Sequence, residues 1–187
     1  MIRKSMPSGS DPTGGNRFSP VGSYPEGKLF WIMFRWSVTA KERPAMDKQW
    51  DYQIRIYFGD ELAEMARRDP HNPALKPLAD ILAKHQATMK CQFDAFADYV
   101  AEAEARGTED YPLYAWTKAT IEDPAKQAKY LKSFTLYVDG NEVYGKSPAD
   151  ALEADLQPLV SSKLITRLSK HDTNPANNPQ PPAQYRG

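Results

Sequence analysis

Apolar and polar positions alternate along two stretches in the first third of the chain, and the alternation predicts two strands. Over Trp50 to Phe58, Trp50, Tyr52, Ile54, Ile56 and Phe58 fall on one side, while Asp51, Gln53, Arg55 and Tyr57 fall on the other. Over Leu29 to Val38, Phe30, Ile32, Phe34, Trp36 and Val38 make one apolar side, and Leu29, Trp31 and Met33 open the other before Arg35 and Ser37. A strand apolar on both sides needs cover on both, or it presents a binding surface. The charged residues 39–49 read as a long hairpin loop joining the two.

Farther on, the period lengthens to that of a helix. Asp60 reads as the cap of a short helix from Glu61 to Arg68 with Glu61 and Glu64 in its first turn, and Asp69-Pro70-His71-Asn72-Pro73 is a turn by composition. From about Ala74 to Ala105, Leu78, Leu82, His85, Met89, Phe93, Phe96 and Val100 step by three or four, which predicts one long amphipathic helix. That phase points Cys91 at solvent. Gly107 closes the helix behind Arg106. Aromatic and β-branched residues over 113–121 suggest a strand, and Asp123-Pro124 opens a helix to about Lys132. Phe134, Leu136 and Val138 alternate with Thr135 and Tyr137 ahead of Asp139-Gly140, so 134–144 reads as a β-hairpin. Ser147-Pro148 then caps a helix with Leu152, Leu156 and Leu159 on its inner side and Pro158 ending or bending it. Residues 163–170 suggest one more weak helical turn.

Composition bounds the architecture. A chain of 187 residues with 41% hydrophobic content buries one sizeable core. Residues 1–27, rich in Ser, Pro and Gly, and residues 171–187, rich in Pro, Asn and Gln, read as disordered arms around a single domain at 28–170. The fold class expected is α+β, a mainly antiparallel sheet of about four strands packed on the long helix and shorter ones.

Charge changes the picture little. The formal net charge is zero, but residues 60–111 carry 11 acidic groups against 6 basic ones, whereas the arms and the aromatic strands are mildly basic. A nucleic-acid domain more often shows a clear basic surplus. No run approaches the roughly 20 apolar residues of a membrane span, and Pro, Ser and Gly stand where an export signal needs its apolar stretch. The expectation is a cytoplasmic protein without a membrane partner, and the single Cys91 ties nothing to an oxidising compartment.

Candidate chemistry is sparse. His71 sits in a turn, His85 on an apolar helix side and His171 in the tail, and no second ligand stands at metal-binding spacing, so no metal is expected. Cys91 at mid-helix lacks the setting that activates a thiolate. The one formal motif is GNEVYGKS at 140–147, where Gly140, Gly145, Lys146 and Ser147 satisfy the phosphate-loop formula. A glutamate inside such a cradle repels phosphate, and Asn141 to Tyr144 read as a returning strand, so the hairpin reading outweighs a nucleotide-binding enzyme. No catalytic residue and no cofactor is assigned.

The aromatic-basic interleave is the remaining clue. Trp31, Met33, Arg35, Arg55 and Tyr57 share one side of the two opening strands, and exposed aromatic and arginine side chains anchor partners. The function expected is a non-catalytic accessory protein that binds a protein partner through this face, with single-stranded nucleic acid as the alternative ligand. Short chains without motifs are often accessory proteins of bacteria, plasmids or phages and other mobile elements, which is a matter of frequency and not of any residue in this chain.

Overall fold

In the computed structural model, the described residues are 50–174, 176 and 177. The strand expected at 29–38, with Trp31, Met33 and Arg35, the loop expected after it, residues 1–27 and most of the tail lie outside them. The elements in chain order are β1 (Tyr52–Tyr57), α1 (Asp60–Arg68), α2 (Lys76–Lys84), β2 (Ala87–Cys91), α3 (Gln92–Arg106), α4 (Tyr114–Glu122), α5 (Pro124–Tyr130), β3 (Ser133–Val138), α6 (Lys146–Ser161) and β4 (Arg167–Asp172).

The four strands form one antiparallel sheet in the order β2-β3-β1-β4. β1 therefore runs parallel to β2 with β3 between them, and β3 runs parallel to β4 with β1 between them. Helices α1 and α2 make the first crossover and α6 the second. This is the double split β-α-β, or ferredoxin-like, topology, interrupted between β2 and β3 by the α3–α5 insertion. The α+β class is as expected from the sequence.

Strand alternation divides the sheet into two unlike faces. Ile54, Ile56, Phe58, Phe134, Leu136, Val138, Ala87 and Cys91 are buried on one side beneath Leu78 and Leu82 of α2 and Ala149, Leu152, Leu156 and Leu159 of α6. The registers Ile56↔Phe134, Cys91↔Phe134 and Met89↔Leu136 line these side chains up across the strands. The insertion is tied to this body by a bidentate pair in which Arg67 Nη2 and Nε donate to Asp94 at 2.7 and 3.0 Å. It keeps its own small core of Tyr99, Ala103 and Tyr111.

The long helix expected over 74–105 is two helices with a strand between them. α2 stops at Lys84, Gln86 takes φ +49, and residues 87–91 pair with β3 over five positions. Ala87, Met89 and Cys91 turn toward the core while Thr88 and Lys90 turn away, so the segment carries a period of two as well as the longer helical one. The ladder with β3 decides between them, a non-local gain that local periodicity does not contain. As a result Cys91 is buried at 4% exposure, with Sγ directed at the Tyr130 and Leu131 carbonyls, and does not face solvent.

Three further expectations are corrected. Residues 114–121 are helical, with Leu113 as the cap, because Leu113, Thr117 and Thr120 recur at helical spacing and α4 packs against α3, the Trp116 ring centroid 6.0 Å from that of Phe96. The segment 167–172 is neither helix nor tail: β4 pairs with β1 at six positions from Tyr57↔Arg167 to Tyr52↔Asp172. Its sequence has one apolar residue, Leu168, so pairing with β1 rather than its own pattern makes it a strand. Finally, α6 is capped by Gly145 rather than Ser147, and it runs past Pro158 to Ser161. The sequence did place α1 apart from its cap, which is Gly59 with Asp60 already helical, and it placed the end of α3 at Gly107 and the Asp123 cap of α5, where Asp123 Oδ1 accepts from Ala125 N and Lys126 N at 3.0 and 3.3 Å.

Candidate functional site: the polar sheet face

The side of the sheet away from α2 and α6 is built from the alternate residues of the same strands: Gln53, Arg55 and Tyr57 of β1, Thr88 and Lys90 of β2, Ser133, Thr135 and Tyr137 of β3, and Arg167, Ser169 and His171 of β4. Arg55 stands at its centre, opposite Thr135 on one neighbour and Ser169 on the other, with Lys90 beyond Thr135. Tyr57 lies between Ser133 and Arg167, and Gln53 lies opposite His171. The short hydroxyl side chains of Ser133 and Thr135 and the Gln53 amide are buried, whereas Arg55, Tyr57, Lys90, Tyr137, Ser169 and His171 are half-buried and Arg167 is exposed.

Cations dominate this face. The Arg167 guanidinium lies 3.7 Å from the centroid of the Tyr57 ring, a cation–π stack. Lys90 Nζ pairs with Asp98 of α3 at 2.7 Å. Arg55 Nε is buried and, among the described residues, has no hydrogen-bond partner. A buried guanidinium nitrogen without an acceptor is costly, since its water has been removed and nothing replaces it. Burial works against the Tyr57 phenol losing its proton, yet hydrogen bonds with Ser133 and Ser169 and the nearby Arg167 and Arg55 hold it below the ordinary tyrosine range. Burial, Arg55 and Arg167 together push His171 down, so this imidazole stays neutral near pH 7.

Besides Asp98, which pairs with Lys90, a second acid faces these cations. Asp139 at φ +48 and Gly140 at φ +72 form a two-residue turn of the kind that follows the right-handed twist of the strands, and Val138 and Asn141 close it with reciprocal hydrogen bonds of 2.8 and 2.9 Å. Past the turn, residues 141–144 do not pair back along β3 as the returning strand of the expected hairpin, because β1 and β2 already flank β3; the chain goes instead to β1, where Tyr52 and Tyr144 exchange backbone bonds of 2.7 and 3.0 Å. Between these anchors Glu142 is turned onto the sheet, and its Oε1 accepts from Gln53 Nε2 at 2.6 Å. The residue as a whole is only part-buried, but its carboxyl end is inside the protein. Burial outweighs the pull of Arg55, Gln53, Lys90 and Tyr137 and raises Glu142 to about 7.

Of the residues singled out from the sequence, Arg55 and Tyr57 lie on this face, and Trp31, Met33 and Arg35 fall outside the described residues. Gly140 is the second residue of the tight turn, Gly145 caps α6, and Lys146 of the first helical turn is ion-paired with Asp150. Ser147 is exposed. Sequence reasoning missed Glu142, His171, Ser169 and Lys90. The alternation of Ser133, Thr135 and Tyr137 was a usable signal, but no local pattern marked β4 or turned Glu142 inward.

Other polar clusters serve the frame. His85 Nε2 lies 2.6 Å from Asp155 Oδ2, and Lys84 Nζ lies 2.6 Å from the same oxygen, so the end of α2 is latched to α6 and the histidine is satisfied. Lys84 and then His85 hold the Asp155 carboxyl below the usual carboxylate range. Among the described residues, no cluster of His, Cys, Asp and Glu is arranged to hold a metal ion, and no helix is long and apolar enough to cross a membrane. No protein-family model matches the chain, and neither a curated protein nor a solved structure is found to be similar to it.

Proposed function

We propose that this chain is a non-catalytic binding protein whose polar sheet face receives an acidic segment of a partner protein. The observation that carries the reading is Arg55 Nε, a buried donor without an acceptor at the centre of a face that also holds Arg167 and Lys90. A carboxylate is the natural complement, because it accepts two hydrogen bonds in the plane of a guanidinium and neutralises it. The opposite face is filled by α2 and α6, which supports the polar side as the binding one.

Single-stranded nucleic acid fits less well. Base stacking needs free aromatic faces, but Tyr57 is covered on one side by Arg167 and Tyr137 is engaged with Glu142. The test is fluorescence anisotropy with a labelled hexaglutamate peptide and a labelled oligothymidylate at physiological salt. The expected outcome is peptide binding that weakens about tenfold or more with Arg55→Gln, in line with the cost of losing an arginine anchor, and is unchanged by Lys146→Ala. Peptide binding that is absent or indifferent to Arg55→Gln overturns the proposal, and tighter binding of the oligonucleotide replaces it with the nucleic-acid reading.

A further inference from the structure

The reading above leaves one carboxylate unexplained, since Glu142 occupies the same face as the cations that would receive a ligand. We propose that Arg55 seats one carboxylate of the bound segment and that Glu142 takes up a proton as the seat fills, so that binding draws a proton from solution. This rests on the proposed function and deepens it by naming the linked ion.

The geometry supplies the coupling: Gln53 Nε2 holds Glu142 Oε1 at 2.6 Å, and Arg55 follows Gln53 two residues along the same side of β1. The groups that face Glu142 are Gln53 and Arg55 from β1, Lys90 from β2, Tyr137 from β3 and Tyr144 on its own segment. β4 contributes Arg167 and His171, whose imidazole is kept neutral by burial, Arg55 and Arg167 against the opposing pull of Asp172. Arg55 is the largest of the influences that favour the ionised form of Glu142 against burial, ahead of the Gln53 hydrogen bond, Lys90 and Tyr137. A ligand carboxylate on Arg55 cancels that influence and adds a like charge beside Glu142. Both changes favour the protonated acid. The acid stands near the midpoint of its titration at neutral pH, so the proton is taken up where binding is measured. Gln53 Nε2 continues to donate to Oε1 in either state, and no other bond has to change. The only species that moves is one proton, from buffer to Glu142.

The experiment is calorimetric titration of hexaglutamate into the full chain near pH 7 in two amine buffers of different ionisation enthalpy, bis-Tris and Tris, with affinities also measured at about pH 6 and 8. The expected result is uptake approaching about half a proton per peptide near pH 7, because the free acid is already about half protonated there, and binding about tenfold weaker at pH 8 than at pH 6. In Glu142→Gln, which mimics the protonated acid, uptake disappears and affinity stays flat with pH. Arg55-dependent binding with equal heats in the two buffers overturns this inference and leaves the proposed function standing. Absence of peptide binding overturns both. Proton uptake that persists in Glu142→Gln assigns the proton to another group, His171 first, and overturns the role of Glu142. Should Glu142→Gln fail to fold, the wild-type comparison between buffers still decides whether a proton is taken up, and Glu142→Asp then tests which group carries it.

Discussion

Replacing Glu142 with Gln should stabilise the protein at neutral pH while leaving it almost unchanged in acid. A carboxyl that titrates at about 7 when folded, against 4.5 for its ordinary value, keeps its proton longer in the native state than in the unfolded one. Below pH 4.5 both states are protonated and the group contributes no difference. Between 4.5 and about 7 unfolding releases the proton, so stability falls as pH rises, and above about 7 the full cost is present. At about 1.4 kcal/mol per pH unit the gap corresponds to about 3 kcal/mol, and partial solvent access reduces it to about 1–3 kcal/mol. The amide introduced by Glu142→Gln retains an oxygen for Gln53 Nε2 and carries no charge to desolvate, so the variant should escape this cost. Urea unfolding of both proteins, followed by circular dichroism from pH 5 to 8, measures the difference. The two stability curves should lie close together at pH 5, separate up to about pH 7 and then run level with each other to pH 8, with a melting temperature about 5 °C higher for the variant at the alkaline end. Curves that stay parallel over this range would refute the buried, destabilised carboxylate and, with it, the physical basis for proton uptake on ligand binding.

Three other outcomes test the frame that holds the site. Cys91, buried with its thiol pushed up by desolvation, should react slowly with a thiol reagent in the native protein and quickly in denaturant; fast native labelling would place it at the surface after all. Leu136 at the middle of β3 is fully buried, so Leu136→Ala should cost about 3 kcal/mol by urea unfolding, and a cost below about 1 kcal/mol would show that the sheet is not the centre of the core. Gly107 ends α3 at φ +106, where a Cβ would also meet Glu109 Oε2 at 2.7 Å, so Gly107→Ala should cost about 1–2 kcal/mol, whereas Gly59→Ala, with open space around it, should stay within about 0.5 kcal/mol. Equal effects at the two glycines would contradict the left-handed conformation assigned to Gly107.

Local chemistry was legible in the chain wherever it acts over a few residues. The alternation of Tyr52, Ile54 and Ile56, the Asp123-Pro124 helix start, the Asp139-Gly140 turn and the Gly107 stop are each set by neighbours in sequence. Arg55 and Tyr57 could be placed together on the polar side of β1 for the same reason. What sequence could not supply was pairing between distant segments. Residues 87–91 carry helical and strand periods at once, and only the hydrogen bonds to β3 choose the strand. Residues 167–172 are polar and look like the start of a tail, and only β1 makes them β4. The site follows the same division. Arg55 is readable from β1, but its neighbours Lys90, Ser169 and His171 arrive with strands that long-range ladders define, and Glu142 is turned inward by the bridge between Tyr52 and Tyr144. Side-chain direction along a strand is a local property, whereas which strands lie side by side depends on burying their shared apolar face under α2 and α6, and that free energy exists only in the assembled fold.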